Sequence, residues 1–484
     1  MAYIIEGKTG KWEVVVGLEV HCQLKSNTKL FSRSSAEFGK KQNTNVSYYD
    51  NAMPGQLPVI NEYCVRQAIK TGLGLNAEFN KKSIFDRKNY FYPDLPSGYQ
   101  ITQFYYPIIK SGWLEIKDEE DKKKKIRIHE AHLEQDAGKS IHDQHPNYTL
   151  VDLNRSGVCL LEIVSEPDIR SPYEAMEYVK ELRTMVRALN TSNGDMEKGS
   201  MRCDTNVSVR PLGETKLGTR CEIKNINSVK SIGIAIEHEA KRQIEIIENG
   251  ETVVQQTRGF DALTGESIAQ RSKEDTVDYR YFPDPDLAPL IISDKLIEEM
   301  KKEMPELPEK KKERYIKDFE LSEYDAGVLT SSTEVSIYFE SIISKHEPKT
   351  ATNWITSELF GRLNKLVIPF EENPITSDMM IELLDLIKDE TISGKIAKDV
   401  LDDMFKTKES PKIIVNKKGL KQVVDVGAIE KVIDEVIKNN SKQVEEYKAG
   451  NQRLLGFFVG QTMKSSGGKA NPKVVNDILK KKLN

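Results

Sequence analysis

Arg202-Cys203-Asp204-Thr205-Asn206-Val207-Ser208-Val209-Arg210 alternates polar and apolar-facing positions without a break. Side chains of a strand leave opposite faces in turn. Arg202, Asp204, Asn206, Ser208 and Arg210 therefore share one face, and Cys203, Thr205, Val207 and Val209 the other. A turn-rich stretch from Pro211 to Gly218 follows. The alternation then resumes, with Arg220, Glu222 and Lys224 against Cys221 and Ile223. The pattern predicts an antiparallel hairpin with one buried and one polar face. The polar face mixes guanidinium, carboxylate and amide groups. Such a mixture suits a nucleotide site, where cations meet phosphate and carboxylates hold a metal. It equally suits a solvated sheet face crossed by ion pairs.

Helices flank this hairpin. Ser171-Pro172 opens one, with Met176, Val179, Leu182, Val186 and Leu189 on its apolar stripe. A second runs from Ser231 to a stop at Asn249-Gly250. A hairpin between helices implies an α+β fold that is mainly antiparallel, not a βαβ arrangement. From about residue 296 the pattern is helical throughout. Pro305, Pro308 and the charge run Glu309 to Arg314 mark one boundary, and Lys406 to Pro411 a second. The last helices are expected over Asn451 to Met463 and after Pro472, with a loop at Ser465-Ser-Gly-Gly468 between them. The expected domains are 1–295, 296–408 and 409–484, consistent with two or three in a chain of 484 residues.

Three segments offer metal-ligating side chains. In Val14-Val-Val-Gly-Leu-Glu19-Val-His21-Cys22, an apolar run reads as a strand on which Glu19 and His21 share a face. In the second, Ile126, Ile128, Glu130, His132, Glu134 and Asp136 share one parity, so an apolar face is expected to become an acidic one. In the third, Cys159-Leu-Leu-Glu162-Ile-Val-Ser-Glu166-Pro-Asp168, Glu162 lies inside an apolar run. A carboxylate there is costly unless it is salt-bridged or bound to a metal. One imidazole among several hard oxygens suits Mg²⁺ or Mn²⁺. A basic and aromatic segment, Lys81-Lys82-Ser-Ile-Phe85-Asp86-Arg87-Lys88-Asn89-Tyr90-Phe91-Tyr92-Pro93-Asp94, fits phosphate contact with base stacking, or a turn that buries its rings. Tyr279-Arg280-Tyr281-Phe282-Pro283-Asp284 repeats that character.

Several classes are excluded. No Gly-x4-Gly-Lys-Ser/Thr loop, dinucleotide turn or Gly-x-Ser-x-Gly elbow occurs. Seven histidines give little support to a Ser-His-Asp hydrolase, and the five cysteines include no Cys-x-x-Cys and read as reduced core thiols of a cytoplasmic protein. No stretch reads as a signal peptide, and no apolar run reaches membrane-spanning length. Residues 411–484 carry 15 Lys and Arg against 7 Asp and Glu, a net of +8 that leaves −12 for the rest. A basic tail on an acidic body suits a polyanionic partner, or simply a Lys-rich soluble helical tail.

These segments, in this order, closely resemble the B-subunit family of tRNA-dependent aspartyl/glutamyl-tRNA amidotransferases. The resemblance is carried by Val16-Gly-Leu-Glu-Val-His-Cys-Gln-Leu24, Asn51-Ala-Met-Pro-Gly55, Phe85 to Asp94, His132-Leu-Glu-Gln-Asp-Ala-Gly-Lys139, Glu162 to Asp168, Met201-Arg-Cys-Asp-Thr-Asn206 and Asp278 to Asp284. Val151-Asp-Leu-Asn-Arg155, Thr257-Arg-Gly-Phe260 and the tail segment Gly467 to Asn476 match as well, so the resemblance spans essentially the whole chain. Gln135 and Cys159 depart from the usual Glu and Pro, and the paired cysteines that bind zinc in some relatives are missing, so no zinc is expected.

The resemblance implies a cradle-shaped first domain, a helical domain and a small helical tail that binds tRNA. It implies that ATP phosphorylates the side-chain carboxylate of Glu on mischarged tRNA(Gln) or Asp on mischarged tRNA(Asn), and that ammonia displaces the phosphate. The ammonia comes from an amidase/glutaminase partner, and a small third polypeptide completes a heterotrimer. The expected assignments are His21, Glu134 and Glu162 as metal ligands; Glu19, Asp204 and Asn206 as catalytic residues; and Lys88, Arg202 and Lys82 as ATP and phosphate contacts. A non-catalytic tRNA-binding module would explain the basic tail but not the Glu and His set. A ligase acting on a free small molecule would leave the tail without a role.

Overall fold

A computed structural model describes residues 3–272, 278–421, 426–466 and 470–483. The chain forms two compact bodies, one ending at Pro308 and one beginning at Glu309. The first is built on a ten-stranded sheet. At its centre is β2 (Lys11–Gln23), between β10 (Cys159–Ser165) and β11 (Met201–Pro211). Beyond β10 come β7 (Lys123–Gln135), β6 (Ile109–Lys117) and β3 (Glu78–Phe79). Beyond β11 come β12 (Cys221–Lys224), β13 (Gln256–Asp261) and β14 (Glu266–Ser272), while β1 (Ile4–Glu6) adds to β2. Every pairing is antiparallel except β12 with β13. The expected hairpin is present: Thr205, Asn206 and Val207 of β11 pair with Ile223, Glu222 and Cys221 of β12. A smaller sheet joins β4 (Lys82–Asn89), β5 (Tyr99–Tyr106), β15 (Phe282–Pro283) and β16 (Leu290–Ile291), and β8 (Lys139–Ile141) pairs with β9 (Leu150–Asp152).

Three helices, α1 (Glu62–Gly74), α2 (Pro172–Ala188) and α3 (Val229–Glu248), contribute to the core of this body. Their apolar stripes meet the alternate residues Val14, Val16, Leu18, Val20 and Cys22 of β2, all fully buried. Each such burial contributes about 1.5–3 kcal/mol. Caps set the helix starts: the Ser171 hydroxyl accepts from Glu174 N ahead of Pro172. The second helix begins at Val229 and not at Ser231, because Ser228 caps it by accepting from Ser231 N. It ends at Asn249-Gly250 as the sequence suggests, with Gly250 at φ +83°.

The first body extends past residue 295. Helix α4 (Asp294–Lys302) buries Ile297 and Met300 in the same core as the sheet. The second body is helical. One core gathers Tyr315, Phe339, Leu359, Leu384 and Leu401, and a separate one gathers Ile433, Phe458, Val475 and Leu479. The helix Pro411–Lys418 belongs to the former through Ile414 and Val415, so the tail's own core lies wholly beyond the expected start at 409. The last helices are Leu454–Ser465 and Pro472–Leu483, and residues 467–469 of the loop between them lie outside the described residues.

One expectation is corrected. Ile126 and Ile128 are core residues, but so are Ala131 and Leu133, which have the opposite parity. A β-bulge explains the switch. Val164 of β10 pairs with Glu130 and Ser165 with Ile128, so His129 is passed over. Lys110 is passed over in the same way where β6 meets β3. Glu130, His132 and Glu134 therefore share a face with neither Ile126 nor Ile128.

Candidate nucleotide and metal site

The face of the large sheet opposite the helices carries polar side chains in successive cross-strand rows. One row runs His132 (β7), Glu162 (β10), His21 (β2), Arg202 (β11). The next has Glu19 paired with Asp204, and a third has Gly17 paired with Asn206, which pairs in turn with Glu222 of β12 and through it with Thr257 of β13. The alternation that buries Val16, Leu18, Val20 and Cys22 thus aims Gly17, Glu19 and His21 outward together. The rows floor a cleft of about 760 Å³, whose lining includes Lys88, Tyr90, Glu134, Arg220, Lys224 and Tyr279.

Two groups of ligating atoms converge there. In His21, Glu134 and Glu162, the candidate atoms all lie within 4.8 Å of one another, and the same holds for Glu19, Asp204 and Glu222. His21 Nε2 is 3.3 Å from Glu162 Oε2 and 3.7 Å from Glu134 Oε1. His132 Nε2 is 3.1 Å from Glu162 Oε2 on the other side. Burial is the largest single influence and would lower both imidazoles, but the charges and hydrogen bonds of the surrounding carboxylates, Glu162 foremost with Glu134 and, for His132, Glu130, together outweigh it and raise His21 to about 9 and His132 to about 10. Burial would raise Glu162, yet the two histidines hold it well below the usual range. Burial and the Glu162 charge push Glu134 up.

The second group is braced by neutral and cationic donors. Asn206 Nδ2 donates to Glu19 Oε1 at 2.8 Å, and Lys224 Nζ donates to Asp204 Oδ2 at 2.9 Å. Lys224 also pairs with Glu222 Oε1 at 2.7 Å, and the Thr257 hydroxyl donates to Glu222 Oε2 at 2.8 Å. Burial, then Glu162 and Glu222, raise Glu19. Both groups are rich in carboxylate oxygen, with at most one imidazole, which is the donor chemistry of Mg²⁺ or Mn²⁺. Buried like charges at such spacing favour a bound cation.

The structure brings together His21, Glu134, Glu162, Glu19, Asp204, Asn206, Lys88 and Arg202. Arg202 Nη2 donates to Asp136 Oδ1 at 3.1 Å, and Gln23 Nε2 donates to the other oxygen of Asp136 at 3.0 Å. Lys88 Nζ lies 4.9 Å from the Tyr279 ring centroid. Lys82 is not part of the cleft. It is exposed at the far end of β4, paired with Ile291, roughly 20 Å of strand from Lys88. Two features were not anticipated from the sequence: Glu222 as a candidate ligand and His132 as a partner of Glu162. Glu222 was legible, since it shares the polar parity of a strand paired with that of Asp204 and Asn206.

Fold and site define a two-body protein whose first sheet carries an acidic, cation-rimmed cleft suited to a polyanionic ligand. Comparison with known proteins makes this specific. The GatB/GatE catalytic domain matches residues 14–298 and the GatB domain matches residues 337–483. The aspartyl/glutamyl-tRNA(Asn/Gln) amidotransferase B subunits of Rickettsia africae (strain ESF-5) and Rickettsia bellii (strain RML369-C) are each 58% identical over 483 residues, covering 100% of both chains. That of Rickettsia typhi (strain ATCC VR-144 / Wilmington) is 57% identical over 479 residues, 99% of each. The chain belongs to the family of aspartyl/glutamyl-tRNA(Asn/Gln) amidotransferase B subunits. No helix among the described residues is long and apolar enough to cross a membrane.

Proposed function

We propose that this chain carries the ATP-dependent step of tRNA-dependent amidation in the cytoplasm. ATP phosphorylates the side-chain carboxylate of Glu on tRNA(Gln) or Asp on tRNA(Asn), releasing ADP. Ammonia then attacks the activated carbonyl and phosphate leaves, giving Gln-tRNA(Gln) or Asn-tRNA(Asn). The observation that carries this reading is the pair of carboxylate-rich groups on adjoining rows of one sheet face, facing Lys88.

His21, Glu134 and Glu162 would hold one divalent cation and Glu19, Asp204 and Glu222 a second. When bound, such cations neutralise phosphate oxygens and align the transferring group. The protein's own residues do the rest. Asn206 fixes the rotamer of Glu19, and Lys224 and Thr257 fix Asp204 and Glu222. Asp136 holds Arg202 over the His21 row, where its guanidinium meets phosphate oxygens. Lys88, close enough to Glu134 to favour its ionised form, supplies a movable cation for the phosphoryl group or the acceptor carboxylate.

The chain works in a heterotrimer with an amidase/glutaminase that supplies ammonia and a small third polypeptide. The tail domain, with its positive charge, contacts the tRNA backbone. The test is amidation of mischarged tRNA by the assembled complex with glutamine and ATP. Glu19→Gln and Glu162→Gln should abolish ADP release and amide formation while the partner still hydrolyses glutamine. Wild-type amidation rates in both variants would refute the assignment.

A further inference from the structure

Cys64 and Cys159 meet in the core of the first body, where the start of α1 lies against the start of β10. The backbone brings them together in three steps. Leu24 N donates to Cys159 O at 2.9 Å, so the chain leaves β2 beside Cys159. Two residues on, the Ser26 hydroxyl accepts from Asn61 Nδ2 at 3.0 Å. Asn61 caps α1 by accepting from Tyr63 N, which sets Cys64 in the first helical turn. There the Cys64 sulfur accepts hydrogen bonds from the Cys159 thiol and the Ser26 hydroxyl. We infer that the two cysteines form a peroxide-sensitive dithiol, with Cys64 the attacking sulfur and Cys159 the resolving one.

The two sulfurs differ in the way such a pair requires. The Cys159 hydrogen bond, helped by Ser26, holds the Cys64 thiol below its ordinary range in spite of burial. The peptide dipoles of the first helical turn act in the same direction. Burial pushes Cys159 well above that range. Burial also raises the other three: Cys22 to about 12, Cys221 to about 11, and Cys203 well above the usual value. Cys64 alone among the five is set up as a thiolate, and it is the one with a protonated thiol in contact. All five are buried, but Ser26 is half-buried and Glu62 and Tyr63 are exposed. Fraying of that one turn admits a molecule as small as hydrogen peroxide.

The chemistry balances with one peroxide. The Cys64 thiolate attacks a peroxide oxygen; the S–O bond forms, the O–O bond breaks, and the departing hydroxide takes up the proton that Cys64 released. The Cys159 sulfur then attacks the sulfenic sulfur of Cys64. The S–S bond forms, the S–O bond breaks, and the Cys159 proton leaves in a second water. Two electrons pass from the two thiols to the peroxide. Resolution by Cys159 stops Cys64 short of the irreversible sulfinic acid. Cys159 shares the buried parity of Leu161 and Ile163, opposite to Glu162, so closure fastens α1 to β10 without entering the cleft.

Peroxide treatment of the reduced full-length chain, followed by alkylation and peptide mass spectrometry, tests this. Wild type should lose two of its five free thiols, yield a peptide linking Cys64 to Cys159, and regain all five with dithiothreitol. Cys159→Ala should stop at a sulfenic acid on Cys64, trapped by dimedone. Cys64→Ala should keep its four remaining thiols free. The wild-type readout decides the matter even where a variant does not fold. Five free thiols in treated wild type, or a bond joining any other pair, would overturn the inference.

Discussion

His132 and Glu162 face each other across one rung of β7 and β10, with Nε2 and Oε2 3.1 Å apart. His132 reaches the carboxylate from the side opposite His21, so it sets where Glu162 points without occupying the cleft itself. Outer partners of this kind are typically worth 10- to 100-fold in metal affinity. We predict that His132→Ala weakens Mn²⁺ binding to the isolated chain by about that factor. His132→Gln, which keeps a donor, should recover most of it. Equal Mn²⁺ affinity in wild type and His132→Ala would refute the role.

Glu222→Gln should impair ATP turnover about as severely as Asp204→Asn, since the two share Lys224. The loss expected for one removed electrostatic contact in a transition state is about 10²- to 10³-fold. The measurement is single-turnover ADP formation with saturating mischarged tRNA. A Glu222 variant with normal turnover would remove it from the site.

Lys88→Ala should lower the rate of phosphoryl transfer and leave tRNA affinity unchanged. Lys88 stands inside the cleft over Tyr279, away from the exposed faces that a nucleic acid would cover. Weaker tRNA binding with unchanged ATP turnover would instead assign the residue to the nucleic-acid surface.

Lys29 and Asp50 form a fully enclosed ion pair at 3.2 Å. Asp50→Asn should destabilise the first body by about 3–5 kcal/mol near neutral pH, because it strands a buried ammonium. Burial lowers the Lys29 amine in the folded state despite the Asp50 charge. The unfolded chain thus binds the extra proton between the folded value and 10.5, so stability from this group rises with pH across that window. The penalty of Asp50→Asn should shrink as pH rises through that window, as thermal melts of both proteins would reveal. A penalty independent of pH would show that Lys29 is not its source.

Removing residues 426–484 should weaken tRNA binding and flatten the dependence of log affinity on log salt, since most of the tail's positive charge goes with them. The helical core should survive, because Ile414 and Val415 stay in place. A lower melting temperature with an unchanged salt slope would assign the tail a stabilising role only.

The hairpin, the helix stop at Asn249-Gly250 and the shared face of Glu19 and His21 were legible because each follows from a local rule of period or cap. Glu222 follows the same rule of period, on the polar face with Arg220 and Lys224, and strand pairing with Asn206 brings it beside Asp204. His132 and Glu162 meet only through strand pairing between distant segments, which no single-segment pattern encodes. Lys82 has the charge and sequence neighbourhood of a phosphate contact, but the length of β4 carries it away from the cleft. The bulge left one trace: the apolar step from Ile128 to Ala131 is three residues where the rest of β7 steps by two.

That extra residue gives β7 two phases. Upstream of His129 the even-numbered residues face the core, downstream the odd-numbered ones do, and the cleft-facing Glu134 belongs to the second phase. Deleting His129 would take out the bulge while Ile128 stays opposite Ser165 and Glu130 opposite Val164, so the alternation would become continuous and Glu130, His132 and Glu134 would keep their outward face. A one-residue insertion between Ala131 and Glu134 would instead turn Glu134 to the buried face, so this strand tolerates a change of length at the bulge and not beyond it.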